Sequence, residues 1–220
     1  MSKNSPQQPL LVDLYEQYLV DQNSAAFIKK VAEQYSVATL ERLAGWGRRL
    51  SRRAAVLALG YLGDYESNAV LGMALTDRDR GVRTLAEQGI RNVWCRVGGQ
   101  AQRQCLRAVV RLNNAKQYPD AIDRATALLH QSPWLAEAWY QRGLAHFHLA
   151  NCEAALKDCH QALEINPYQF LAAARLGQCH LKLGHHQAAL DSFRRALRLN
   201  PSMEDVRAQI VQLKRLLKDE

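Results

Sequence analysis

The sequence has little of what interrupts helices and none of the marks of a secreted or membrane protein. Among 220 residues there are 6 prolines and 12 glycines, and 7% are aromatic. Alanine and leucine dominate, a mixture that favours helix throughout the chain. No apolar run reaches the ~18 residues that would predict a membrane span. The five cysteines are odd in number and form no CxxC pair, which argues against a disulfide framework.

The N-terminal residues also lack the pattern of a targeting segment. Residues 1–8, MSKNSPQQ, are polar and are expected to be frayed, and acidic residues follow them before any long apolar run. Together with the unpaired cysteines, this predicts a cytoplasmic protein.

Motifs for catalysis are missing as well. The chain contains no G-x-S-x-G, no phosphate-binding P-loop and no dinucleotide-binding glycine pattern. We therefore predict no catalytic residues, no cofactor and no enzymatic activity.

The chain does have an excess of positive charge. Its formal charge is +8 and its pI is about 9.4, which suits either nucleic acid or an acidic protein as partner. Arginines are concentrated at Arg48, Arg49, Arg52 and Arg53, where Arg49 and Arg53 share one helix face. This cluster is a candidate anion patch. The alternative is a solvated face, with Arg52 in a structural role.

A repeat organises the C-terminal half. Residues 136–169 and 170–203 align as two blocks of 34 residues, with Gly143 on Gly177 and Ala155 on Ala189. A fixed period of this length predicts a solenoid of stacked helix pairs. Residues 102–135 read as a degenerate first block. The apolar stripe in 204–218 predicts a capping helix that shields the last repeat.

These blocks resemble tetratricopeptide repeats. The middle block has the family's Trp, Gly, Ala and Pro, and the last block adds Leu-Gly and an aromatic residue. The residues that carry the resemblance are Trp139, Gly143, Ala155, Ala162, Pro167, Leu176, Gly177, Ala189, Phe193, Ala196 and Pro201. The resemblance implies an all-α fold, a right-handed α-α superhelix with a C-terminal cap.

The N-terminal half reads differently. Helices are expected over 10–20, 25–35 and 36–44. Residues 48–94 contain a second repeat in which Arg52 and Arg83 correspond at a period of 31 residues, and this pattern resembles short HEAT-type repeats. In that family Asp77 and Arg83 would be structural. Val97-Gly98-Gly99 forms a seam, so we predict a HEAT-like domain over 1–97 and a tetratricopeptide repeat domain over 100–220.

The resemblance also implies a binding groove lined by the first helix of each repeat. Arginine and lysine would form a positive wall, and Tyr140 and Phe147 would be apolar anchors. The predicted groove residues are Arg103, Arg107, Tyr140, Gln141, Leu144, Phe147, His148, Arg175, Gln178 and Lys182. Such a groove suits an extended or helical peptide with acidic and hydrophobic residues. The residues that clamp a chaperone's terminal carboxylate in some relatives are matched only by Arg175, so that subtype is not predicted.

One further cluster admits two interpretations. His146, Cys159, Cys179 and His180 fall on neighbouring helices of the repeats. Soft metals favour such ligands, but these positions hold core aromatic residues in the family. We predict core packing and no metal.

The sequence as a whole predicts a non-enzymatic scaffold or adaptor that binds a protein or peptide. Two other functions remain open: a basic helical-repeat protein that binds nucleic acid, and an accessory or lyase-like HEAT-repeat protein. The sequence does not predict an oligomeric state.

Overall fold

A computed structural model describes residues 9–219, and within that range the chain forms α-helices, one short 3-10 turn and no β-strand. This confirms the predicted all-α superhelix. The polar terminus expected to be frayed, residues 1–8, lies outside the described residues. The chain divides into two compact units after Val93, just before the predicted seam at residues 97–99.

Six helices form the N-terminal unit. They are α1 (Leu10–Asp21), α2 (Ser24–Gln34), α3 (Val37–Trp46), α4 (Arg49–Leu62), α5 (Asn68–Ala74) and α6 (Arg80–Trp94), with the 3-10 turn Tyr65–Ser67 before α5. Side-chain caps determine where two of these helices, α3 and α2, begin. Ser36 Oγ accepts from the N–H of Thr39 at 3.2 Å, and Asn23 Oδ1 accepts from the N–H of Ala26 at 3.0 Å. The cap of α2 is thus Asn23, and the helix begins at Ser24, one residue before the predicted start at residue 25.

Two bidentate ion pairs connect α4 to the turn between α5 and α6. Arg52 donates to Asp77 at 2.8 and 3.0 Å, and its third hydrogen bond goes to the carbonyl of Gly47 at 3.0 Å. Arg53 donates to Asp79 at 2.7 and 2.9 Å. Asp79 also accepts from the N–H of Val82 at 3.0 Å and so caps α6.

These ion pairs remove Arg52 and Arg53 from the predicted anion patch of four arginines. Arg52 is buried, and its donors and those of Arg53 are engaged by carboxylates of the same unit. Neither side chain is available to an external anion, because each guanidinium already donates two parallel hydrogen bonds to a carboxylate, the arrangement that it prefers. Arg48 and Arg49 remain exposed. The HEAT-like assignment of this unit stays a prediction, although Asp77 has the structural role expected for it.

The ion pairs predict that the N-terminal unit loses stability in acid. The hydrogen bonds from Arg53 lower the pKa of Asp79 to about 2, below its ordinary value near 3.8. A depressed carboxyl pKa stabilises the fold fully above the unfolded value, and the effect is lost as pH falls from about 4 to about 2. We expect Asp79→Asn to cost roughly 2 kcal/mol at pH 7 and almost nothing at pH 2. Urea unfolding at both pH values measures this, and an equal cost at both would contradict it.

Seven helices follow in the C-terminal unit. They are α7 (Gln100–Asn114), α8 (Tyr118–Gln131), α9 (Ala136–His148), α10 (Cys152–Ile165), α11 (Phe170–Lys182), α12 (His186–Leu199) and α13 (Glu204–Asp219). Helices α7, α9 and α11 are the first, or A, helices of the three blocks, and α8, α10 and α12 are the B helices. Each A helix packs against its own B helix.

The turn between A and B helices repeats along the unit. Lys116, Ala150 and Gly184 lie 34 positions apart and all have positive φ, at 59°, 62° and 76°. Only the third is glycine, the residue for which this conformation is free of strain. Residues 102–135 therefore share this turn, at the same repeat position, with the two blocks that follow.

Helix α13 closes the unit as the capping helix that the sequence predicts. Val206, Ile210 and Leu213 are buried in one cluster with Phe193 and Ala196 of α12, and Leu217 packs on its edge. The apolar stripe of α13 therefore covers the last repeat.

Close approach between A and B helices requires a residue without a side chain on α11. A Cβ built on Gly177 would lie 2.5 Å from the ring of Phe193, which is fully buried on α12. The same atom on Gly143 would meet Cys159 Sγ at 3.2 Å and Asp158 Cβ at 3.1 Å. The two equivalent glycines thus differ in how much space their partner helix leaves.

This difference gives a matched pair of substitutions. Gly177→Ala should lower the free energy of unfolding by about 2 kcal/mol, because overpacking against a fixed ring exceeds the gain in helix propensity. Gly143→Ala should change it by less than ~1 kcal/mol, since small shifts relieve its contacts. Thermal and urea unfolding of both variants tests this. A Gly177→Ala protein as stable as Gly143→Ala would show that Phe193 does not set the spacing.

Candidate functional site

The A helices lie side by side and present one continuous surface. Helix α9 approaches both α7 and α11, whereas neighbouring B helices come less close to one another. A row of helix pairs with its A helices closer together curves with the A helices on the inner side. We call this surface, formed by α7, α9 and α11, the A-helix face.

A buried hydrogen-bond network crosses the A-helix face. Asn113 Nδ2 donates to the carbonyl and to Oε1 of Gln141, at 2.9 and 2.8 Å. Gln141 Nε2 donates to Glu137 Oε1 at 2.8 Å, and Gln169 Nε2 donates to Glu137 Oε2 at 2.7 Å. The network joins α7 to α9 and α9 to the start of α11, so it fixes the relative position of the three blocks.

A second cluster is built around an aromatic ring. The guanidinium of Arg175 lies 4.3 Å from the centre of the Phe147 ring, and Lys182 Nζ lies 3.9 Å from it. Both contacts are cation–π interactions, which hold a cation at the negative face of the ring. The half-buried Phe147 thereby positions two positive charges on α11.

His148 lies beside this cluster at the end of α9. Its ring stacks on Tyr118 with centroids 4.6 Å apart. Burial and the nearby charges of Arg175, Lys182 and Lys116 lower the pKa of His148, so the imidazole is neutral at pH 7. The fixed positive charge here therefore belongs to Arg175 and Lys182.

Two of the predicted groove residues are corrected by their burial. Tyr140 is 6% exposed and belongs to the core, so it is not an exposed anchor. Burial, opposed by Arg175, raises its pKa to about 12. Gln141 is also buried and is occupied by Asn113 and Glu137. Both side chains hold the face together from below and do not line it.

The remaining predicted residues are more accessible. Arg107 is exposed, and Leu144 is half-buried. Arg103 is exposed and donates to the carbonyl of Gly98 at 2.6 Å. Gln178 accepts from Arg175 at 2.7 Å and so braces that side chain.

The histidine and cysteine positions contribute mainly to packing. Cys159 and Cys179 are fully buried, and burial raises the pKa of both thiols, that of Cys179 to about 12. Burial lowers the pKa of His146 and of His180, and His180 Nδ1 lies 3.5 Å from His185 Nδ1. Within residues 9–219, no three His, Cys, Asp or Glu side chains are arranged to hold a metal ion.

Two features of this unit were missed by the sequence analysis. One is the acceptor role of Glu137 in the network. The other is the ion pair between Arg142 and Asp158, with hydrogen bonds of 2.8 and 2.7 Å, which joins α9 to α10. The guanidinium of Arg142 also lies over the Trp139 ring, 4.8 Å from its centre. The available signal for the ion pair was that Arg142 stands in the repeat position at which the last block has Leu176.

Comparison with known proteins agrees with this architecture. Residues 136–169 and 171–203 match the family model of the tetratricopeptide repeat. No curated protein sequence matches the chain. Among solved structures, one similar chain is the first TPR of Spaghetti (RPAP3), bound to the HSP90 peptide SRMEEVD. It is 22% identical with a TM-score of 0.53, and the match covers 56% of this chain and 97% of that structure's chain. The first TPR domain of human RPAP3 is also 22% identical, with a TM-score of 0.50 and coverage of 52% and 91%.

The described chain is therefore all-α, and its C-terminal unit is a solenoid whose residues 136–169 and 171–203 match the tetratricopeptide repeat. At this level of identity the structural likeness establishes the fold. Among residues 9–219, no helix is both long and apolar enough to cross a membrane.

The buried network yields a testable expectation. Glu137→Ala would leave the buried amides of Gln141 and Gln169 without their acceptor, and each unsatisfied buried donor costs about 1–3 kcal/mol. Glu137→Gln keeps the shape and one acceptor oxygen, so it should cost less than half as much. Urea unfolding of the two variants measures the difference. If both were as stable as the parent protein, the network would not hold the three blocks together.

Proposed function

We propose that the A-helix face binds an extended or helical segment of a partner protein that carries acidic and hydrophobic side chains. The protein would act as a scaffold or adaptor and perform no chemistry itself. The observation that carries the proposal is the cluster of Arg175 and Lys182 on Phe147, which sets two cations on one face.

Positive charge on this face extends beyond the cluster. Arg103 and Arg107 are exposed on α7, and the neutral His148 lies between them and α11 in the order of the helices. The carboxylate of Glu137 is buried and accepts from two glutamine amides, so it is not exposed to pair directly with the cations of this face. An acidic ligand therefore meets cations with little nearby anionic competition.

The face also offers limited apolar area. Leu144 and Phe147 are half-buried on α9, so each presents part of its side chain to a ligand. An apolar residue of the ligand would contact these two while its carboxylates pair with α7 and α11. The bound peptide of the first TPR of Spaghetti (RPAP3) has two consecutive glutamates, and this supports an acidic ligand for a fold of this kind.

Charge reversal on the face tests the proposal. Peptides selected from a random displayed library on the full-length protein should be enriched in Asp and Glu. Arg107→Glu with Lys182→Glu should weaken the binding of a selected peptide at least about tenfold, because each exposed pair contributes roughly 1 kcal/mol. Fluorescence anisotropy at low and high salt measures the affinity, and the weakening should be smaller at high salt.

A control with the same net charge separates the face from the overall charge of the protein. Arg124→Glu with Arg198→Glu changes two exposed arginines on the B helices α8 and α12. This variant should bind the selected peptide within about twofold of the parent protein. Equal weakening by both double variants, or selection of peptides without acidic enrichment, would count against the A-helix face.

A further inference from the structure

The N-terminal unit has an exposed aromatic residue at the end of α3. Trp46 is 91% exposed, between Gly45 and Gly47, and within residues 9–219 its ring stacks on no other ring. Indole is among the largest apolar surfaces that a side chain can bury. Leaving it in water contributes nothing to the stability of this unit.

Exposed arginines lie on the same edge as Trp46. Arg52 donates both to the carbonyl of Gly47 and to Asp77, which brings the end of α3 next to the turn between α5 and α6. Arg48 and Arg49 follow Trp46 at the start of α4. Arg78 precedes Asp79 in the turn, and Arg80 follows Asp79 as the first residue of α6. The charge of Arg49 helps to lower the pKa of Asp79, so these two segments lie close together.

The acidic residues of this edge do not neutralise these four arginines. Asp77 is engaged by Arg52, and Asp79 by Arg53. Within the described chain, the guanidiniums of Arg48, Arg49, Arg78 and Arg80 form no ion pair of their own. The edge therefore carries an excess of four positive charges beside an exposed indole.

Helix stability does not explain these arginines. Arg48 and Arg49 stand at the start of α4, and Arg80 begins α6. The N-terminal end of a helix is already positive, so cations there are unfavourable for the fold. Their placement is accounted for by an anionic ligand more readily than by stability.

We propose that this basic edge, Trp46 together with Arg48, Arg49, Arg78 and Arg80, binds single-stranded nucleic acid. The guanidiniums hold successive phosphates, and an unpaired base stacks on the indole. Arginine suits phosphate because its planar group donates two parallel hydrogen bonds, and stacking on an aromatic side chain is the common device of single-strand binding.

The exposure of Trp46 favours this ligand over other polyanions. A ring that protrudes into solvent offers a face for stacking, whereas an apolar side chain of a peptide needs a pocket. A base in a duplex is already stacked on both sides, so it cannot use the ring without being unstacked. A membrane surface requires a broad apolar helix face, and here the indole stands among arginines.

The proposal is tested with the full-length protein and a labelled oligothymidylate of about 20 nucleotides, longer than a typical single-strand site. We expect binding at low salt that weakens as salt rises. Arg78→Ala with Arg80→Ala should weaken it and reduce the slope of log affinity against log salt by about 1.4. Trp46→Ala should weaken it about tenfold, and Trp46→Phe less, because phenylalanine still offers a ring for stacking.

Arg124→Ala with Arg198→Ala, in the other unit, removes the same net charge and is the control. It should leave the salt slope unchanged, and circular dichroism should show all variants folded. The proposal is overturned by absence of binding at low salt, by equal loss in the control, or by an unaffected Trp46→Ala variant. Tighter binding to a duplex of the same length, to phosphatidylserine vesicles or to polyglutamate would also overturn it.

Discussion

Close packing within each helix pair is the constraint on which the C-terminal unit depends. Gly177 allows the Phe193 ring to lie against the backbone of α11, and Gly143 admits Cys159 in the same way. Ala155 and Ala189 are fully buried on the opposing B helices. The positions that repeat along the chain are thus committed to packing. The positions at which the repeats differ are free of this packing constraint.

Burial separates the structural arginines from those available to ligands. Arg52 and Arg142 are largely buried, and each forms a bidentate pair with an aspartate of a neighbouring segment. Such a pair connects two elements, and losing one partner leaves a charge in a poorly solvated place. Arg48 and Arg107 are exposed and form no such pair within residues 9–219. The net charge of +8 says nothing of this division, because it counts both kinds alike.

Much of the fold could be predicted from the sequence because the repeat spacing is regular. The period places every helix of the two later blocks, and the stripe in 204–218 predicts the cap. The degenerate first block is harder to recognise in sequence, yet its turn at Lys116 has the same left-handed geometry as the turn at Ala150. That agreement is a property of the backbone, which tolerates a strained residue where the packing of the helices requires the turn.

The site was less predictable, and Tyr140 shows why. Its equivalents in the neighbouring blocks are Leu106 and Ala174, and all three are buried. A position that is apolar in every block belongs to the core, and applying that rule would have removed Tyr140 from the groove. No comparable sequence pattern predicts the hydrogen bonds that engage Arg52 and Gln141. Their partners, Asp77 and Asn113, lie 25 and 28 residues away, and residue spacing alone does not specify such contacts.

The exposed end of the A-helix face illustrates how differences between repeats create specificity. Asn114, His148 and Lys182 occupy equivalent positions and are all exposed. The first cannot ionise, and the pKa of the second is lowered by the partial desolvation of its ring and by the cations around it. Lys182 is therefore the permanent charge in this row, and its cation–π contact with Phe147 fixes that charge on α11. Three repeats that share the same turn thus become asymmetric through one row of side chains, and an acidic ligand would distinguish the two ends of that row.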